Sequence, residues 1–189
     1  MPRLVAFNQV TLDGYFAGAN GDFSWGHKDK GDAEWNAFVA GNASGGGVLL
    51  FGRVTYQLMA SYWPTPMAAA NDPVVARHMN DLPKVVFSRT LDQATWSNTR
   101  LVKGELVAEV RKMKKAPGEG MAILGSGSLV AQLAQKGLID EFQIVVNPVV
   151  LGSGRTMFEG VRDRLGLRLT NTRTFGNGSV LLCYEPTAP

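Results

Sequence analysis

Apolar residues concentrate in short runs. The clearest are "RLVAFNQV" (3–10), "GVLLFG" (47–52), "KVVFS" (84–88), "TRLVK" (99–103), "GMAIL" (120–124) and "EFQIVVNPVVLG" (141–152). Runs of this length, bounded by glycine, proline or polar residues, predict strands covered on both faces. The last should stop around Pro148, because proline cannot donate to a ladder. Between the runs the period becomes helical. Residues 32–43 open on Asp32, a candidate N-cap. Further helices are expected over 53–61, 73–81 and 104–115, the last with Leu106, Val110 and Met113 on one face and Pro117-Gly118 beyond its end. Residues 127–136 place Leu129, Val130 and Leu133 together, with Gly137 at C′. Residues 11–31, with five glycines, and "TPMAAANDP" (65–73) read as loops. Near the C-terminus, 167–175 and 179–185 flank Gly176-Asn177-Gly178, a hairpin signal.

Strands alternating with helices and closing on a hairpin predict an α/β fold. Its sheet should be mostly parallel and mixed, with helices on both faces and an antiparallel hairpin at the C-terminal edge. There is no internal repeat or linker, so residues 1–189 are expected to form a single domain.

Composition narrows the function. The 189 residues are 45% hydrophobic and 19% charged, an ordinary globular balance. No apolar run reaches the roughly 18 residues of a membrane span, and "MPRLVAFNQV" lacks a signal-peptide pattern, so a cytoplasmic protein is expected. Cys183 is the only cysteine, and His27 and His78 lie far apart, so neither an internal disulfide nor a metal site is expected. The net charge is +3, and only Arg111 to Lys115 cluster basic residues. At a helix end those cations suit the dipole, so no nucleic-acid partner is implied.

The candidate chemistry lies where three buried strands end. Gly52-Arg53-Val54-Thr55 comes after the first and opens a helix. Ser88-Arg89-Thr90 comes after the second. Gly125-Ser126-Gly127-Ser128, with Leu129 next, comes after the third and opens another helix. The carboxyl ends of parallel strands share one crevice. Helix N-termini offer unpaired N–H groups and a positive dipole end, glycine admits close approach, and arginine grips phosphate. Each stretch alone could be ordinary punctuation. Together they point to a phosphate or pyrophosphate ligand. They are neither a Walker loop nor a Gly-x-Gly-x-x-Gly fingerprint.

Through these residues the chain resembles the RibD C-terminal-domain family, which has the dihydrofolate-reductase-like fold. The resemblance runs through "TLDGYFAG" (11–18), "LLFGRVTYQLMASYWP" (49–64), "KVVFSRTL" (84–91), "ILGSGSLVAQLAQKGLIDEF" (123–142) and "PVVLGSGRTMFEG" (148–160). It implies NADPH-dependent reduction. Gly52, Arg53 and Thr55 would hold cofactor phosphate, Ser88, Arg89 and Thr90 the ribose 2′-phosphate, and Gly125 to Leu129 the pyrophosphate. It also implies a homodimer.

For the substrate, Asp13 is read either as an acid near the reacting group, as the resemblance implies, or as a turn residue before Gly14. Glu141 is a second acid, expected across the crevice, with a structural role as its alternative. Trp25 and Tyr15, in the glycine-rich loop, could cover a planar heterocycle. The chain lacks the His-x-Glu and Pro-Cys-x-x-Cys ligands of a deaminase segment. The leading expectation is an NADPH-dependent reductase of a small pterin- or pyrimidine-like substrate. The alternatives are the 5-amino-6-(5-phosphoribosylamino)uracil reductase of riboflavin biosynthesis and a non-catalytic nucleotide-binding protein.

Overall fold

The computed structural model describes residues 1–187. Its strands are β1 (Leu4–Thr11), β2 (Tyr15–Ala17), β3 (Val48–Gly52), β4 (Lys84–Phe87), β5 (Thr99–Val102), β6 (Met121–Leu124), β7 (Glu141–Asn147), β8 (Arg155–Thr156), β9 (Leu167–Thr174) and β10 (Val180–Pro186). Its helices are α1 (Ala33–Ala43), α2 (Arg53–Tyr62), α3 (Pro66–Asn71), α4 (Pro73–Asp81), α5 (Leu106–Lys115) and α6 (Gly127–Gln135).

Eight strands form one sheet in the order β5-β4-β3-β6-β1-β7-β10-β9. The six from β5 to β7 are parallel. The hairpin β9–β10 joins antiparallel along β7. This is the mixed sheet expected from the apolar runs. One face packs on α5 and α6 through Val110, Leu129, Val130 and Leu133. The other packs on α1, α2 and α4 through Val39, Tyr56, Val75 and Met79. A third cluster joins Trp35 of α1 to Phe175 and Leu181 beside the hairpin.

Local signals explain most helix ends. Asp32 caps α1 by accepting the Trp35 N–H at 2.9 Å. Gly137, at φ +61°, closes α6: its N–H donates to Ala134 O and the Leu138 N–H to Leu133 O, both at 3.0 Å. That paired pattern is the Schellman motif, and it needs the left-handed residue.

Two expectations are corrected. "TPMAAANDP" is not all loop, because it holds α3, capped by Thr65 with Pro66 in the first turn. Residues 11–31 are not all loop either. They contain β2, which pairs antiparallel with β8 across more than a hundred residues, and a 3₁₀ turn at Ser24–Gly26.

One buried cation braces the fold. Lys84 is 1% exposed, and its Nζ donates to Met79 O (2.8 Å), Asn80 O (3.0 Å) and Leu82 O (2.7 Å) at the end of α4. It also lies 4.6 Å from the Trp96 ring centre. Burial pushes its pKa down from 10.5 to about 8. Lys84→Met should therefore cost about 3 kcal/mol, the scale of stranding more than one buried acceptor, measured by urea unfolding. The unfolded chain holds this proton more tightly than the folded one. The wild-type stability, relative to the variant, should therefore rise with pH between about 8 and 10.5 and be lowest below that window.

Candidate functional site

All six parallel strands deliver their carboxyl ends to one edge of the sheet. There lies a cavity of about 560 Å³. Its floor and one wall come from Phe7, Asn8, Gln9, Phe87 and Leu124 at strand ends, and from the starts of α2 and α6. Phe16, Phe23, Trp25, Gly26 and His27 also line it, with Phe16 against Gly127 and Arg155 near Phe16. A shallower depression around Pro83, Asn98 and Met113 sits at the opposite sheet edge and gathers no helix start.

The loops after β3 and β6 are stitched together. Ser126 Oγ accepts the Gly52 N–H at 2.9 Å and donates to Leu124 O at 3.0 Å. The Ser126 N–H donates to Thr55 Oγ1 at 3.1 Å. Asn8 Nδ2 donates to Gly125 O at 3.3 Å. Gly125 is required at its position: φ is +57°, and a Cβ would come within 3.1 Å of Thr55. The hydroxyls of Ser126 and Thr55 are thus engaged with the protein itself. The outward-facing groups are backbone. Neither α2 nor α6 has a side-chain cap. In α6 the Leu129 and Val130 N–H groups both return to Ser126 O. The N–H groups of Gly127 and Ser128, and those of Arg53 and Val54 at the start of α2, are left for a ligand.

Arg53 lines the cavity and is exposed, resting against Gln57 at 3.1 Å. Arg155 enters from β8, its guanidinium 5.9 Å from the Phe16 ring centre. Two helix starts and two arginines make this part of the cavity electropositive. The backbone donors, the glycine-lined approach and the arginines fit the phosphates of a dinucleotide such as NADPH.

The structure brings together Gly52, Arg53, Thr55, Gly125, Ser126, Gly127, Ser128, Leu129 and Trp25. It does not bring in the others. Ser88, Arg89 and Thr90 come after β4 at the same edge but outside the cavity lining. There Ser88 Oγ accepts the N–H groups of Thr90 (3.2 Å) and Leu91 (2.9 Å) to shape a turn. Tyr15 is not among the lining residues, whereas its neighbours Phe16 and Ala17 are.

Asp13 also lies off the lining. Its carboxylate accepts Thr11 Oγ1 (2.6 Å) and the backbone N–H groups of Gly152 (2.8 Å) and Leu151 (3.2 Å). Those bonds, Thr11's first, hold its pKa below the usual carboxylate value. Asp13 therefore ties the turn after β1 to the segment before β8. Glu141 is corrected more sharply. It pairs in register with Val5, at the start of the strands, and is bound to Arg3 at 3.1 Å. It sits at the sheet edge opposite the cavity.

Sequence reasoning missed Gln9, Phe16, Phe23, His27 and Arg155 as lining residues. Arg155 was legible only as part of the "GSGRTM" motif, because it reaches the site through the β2–β8 pairing.

Gly127 has a packing duty as well. A Cβ there would lie 2.9 Å from Phe16 Cζ and 3.3 Å from Met157 O. Gly127→Val should therefore lower stability by about 1–3 kcal/mol, the usual cost of overpacking, as read by urea denaturation. A variant as stable as wild type would show that Phe16 yields freely.

Comparison with known proteins agrees with the architecture. The chain is 32% identical to the Bacillus subtilis uncharacterized protein YyaP over 97% of its own length and 94% of that protein. Its fold superposes, at a TM-score of 0.76 and 21% identity, on a candidate riboflavin biosynthesis protein from Shewanella sp. PV-4, covering 98% of this chain and 99% of that one. It superposes at 0.64 and 17% identity on Enterococcus faecalis dihydrofolate reductase, covering 98% and 97%. The fold is thus dihydrofolate-reductase-like. The model of the RibD C-terminal domain matches residues 2–181, and the chain belongs to that family.

Proposed function

We propose that the protein is an NADPH-dependent reductase of a small planar heterocycle, pterin- or pyrimidine-like. One observation carries this reading: two uncapped helix starts, stitched through Ser126, open into a cavity also lined by Phe16, Phe23 and Trp25. The Enterococcus faecalis dihydrofolate reductase of the same fold was solved with NADP(H), which supports the choice of dinucleotide.

NADPH, when bound, supplies the hydride. The chain's own work is positioning. The N–H groups of Arg53, Val54, Gly127 and Ser128 would hold phosphate oxygens. Phe16, Phe23 and Trp25 would flank a flat ring and exclude water. No Asp or Glu lines the cavity among the described residues, and His27 is the lining side chain that can act as a general acid. Asp13 acts as a loop anchor in this proposal, because its hydrogen-bonded carboxylate stays ionised. The missing carboxylate also favours a second reading, a nucleotide-binding protein without turnover. Loss of NADPH absorbance over a heterocycle panel separates the two.

NADPH should bind about ten- to a hundred-fold more tightly than NADH, the value of a charge-assisted contact to the 2′-phosphate. Arg53→Ala should shrink that ratio in fluorescence titrations, and equal wild-type affinities would refute the phosphate-reading role. On a substrate that turns over, Asp13→Asn should leave kcat nearly unchanged, whereas His27→Gln should lower it about 100-fold. The reverse pattern in steady-state kinetics would return the proton to Asp13.

A further inference from the structure

Gln9 lies in the cavity wall with its amide held in one orientation. The cause starts at Lys28, whose Nζ contacts Asn147 Oδ1 and lies 5.4 Å from the Trp35 ring centre. An ammonium group only donates, so the Asn147 atom it touches must be oxygen. Ser179 Oγ approaches the same oxygen at 3.4 Å. The Asn147 amide nitrogen then points at Val10 O (3.1 Å) and Val145 O (3.3 Å), both obligate acceptors. Asn147 is 1% exposed and bonded on both sides, so it has no alternative flip. With two hydrogens for three acceptors, the same nitrogen shares one of them with Gln9 Oε1, at 3.4 Å.

The Gln9 amide inherits that direction. Its oxygen faces the Asn147 amide nitrogen, and among the described residues its Nε2 donates to no protein acceptor. Gly26 keeps the 3₁₀ turn close over it: a Cβ at Gly26 would stand 3.3 Å from Gln9 Oε1. Trp25 and His27, on either side of Gly26, line the cavity with Gln9. We infer that Gln9 is a specificity-determining residue whose Nε2 donates to a carbonyl-type acceptor on the heterocyclic substrate, oriented by the Lys28–Asn147 relay. This inference rests on the reading of the cavity as a heterocycle site.

Ligand pairs that differ at one group test it. A 4-oxo heterocycle presents an acceptor to Nε2; a 4-amino analogue presents a donor and leaves both groups unpaired. The probes are pterin and 2,4-diaminopteridine, titrated calorimetrically into the full-length chain at pH 8, with and without NADPH. Wild type should prefer pterin by about tenfold, the scale of one neutral hydrogen bond. Gln9→Leu should abolish that preference. Gln9→Glu, nearly isosteric, should reverse it, because one carboxylate oxygen still accepts from Asn147 and the other now accepts from the amino group. NADPH affinity should be unchanged in both variants.

An unchanged preference in Gln9→Leu or Gln9→Glu would overturn the inference. So would failure of both pteridines to bind wild type at 1 mM, on the order of the weakest useful affinity. Weakened NADPH binding with pteridine affinities intact would mean that Nε2 reads the cofactor, and would also overturn it. If NADPH itself fails to bind wild type, the reductase reading falls. The pteridine preference and its response to Gln9 still decide this inference separately.

Discussion

Ser126 is the constraint on which the site depends. It occupies the left-handed region, with φ +54° and ψ +53°, a conformation that costs a non-glycine residue on the order of 1 kcal/mol or more. That strain is offset by three hydrogen bonds through its hydroxyl and its N–H, to Gly52, Leu124 and Thr55. The residue therefore does not offer its side chain to a ligand. It locks two loops from neighbouring strands in one register. Because β3 pairs directly with β6, the starts of α2 and α6 are held side by side, and their free N–H groups converge.

The rest of the architecture serves that convergence. Parallel pairing from β5 to β7 sends the carboxyl ends of those six strands to one edge, and helices pack on both faces. The β2–β8 ribbon then brings Phe16 and Arg155 to the cavity lining. Asp13 pins the approach to that ribbon through the backbone of Leu151 and Gly152. On the other flank, Lys28, Asn147 and Gln9 form a polar relay beneath the 3₁₀ turn. The cavity thus combines backbone donors and arginines with aromatic rings and directional polar groups.

Much of this was legible in the sequence, and for definite reasons. Buried parallel strands must be apolar on both faces, so "VLLF", "KVVF" and "MAIL" announce themselves, and the residues just after each must lie at a common edge. That reasoning leads directly to the helix starts at Arg53 and Gly127. The failures are equally physical. The strands β2 and β8 are too short to show a period, and their pairing spans distant segments, so no periodicity marked Phe16 or Arg155 as lining residues. Glu141 was misplaced because it begins a strand rather than ending one; the register with Val5 puts it on the far edge. The α3 helix was overlooked although Thr65-Pro66 is a capping signal, because three alanines between prolines carry no amphipathic pattern. The hydroxyls of Thr55 and Ser126 were expected to face phosphate, and only the tertiary pairing shows them turned to one another's loops.

Paired helix starts, rather than any single side chain, form the anion cradle in this protein's proposed mode of binding. Backbone amide NMR probes those groups themselves, with NADPH titrated into the ¹⁵N-labelled chain. The largest downfield shifts should fall at Arg53, Val54, Gly127 and Ser128, moving together along one binding curve. Shifts confined to the basic cluster from Arg111 to Lys115, with those four amides unmoved, would contradict the cradle.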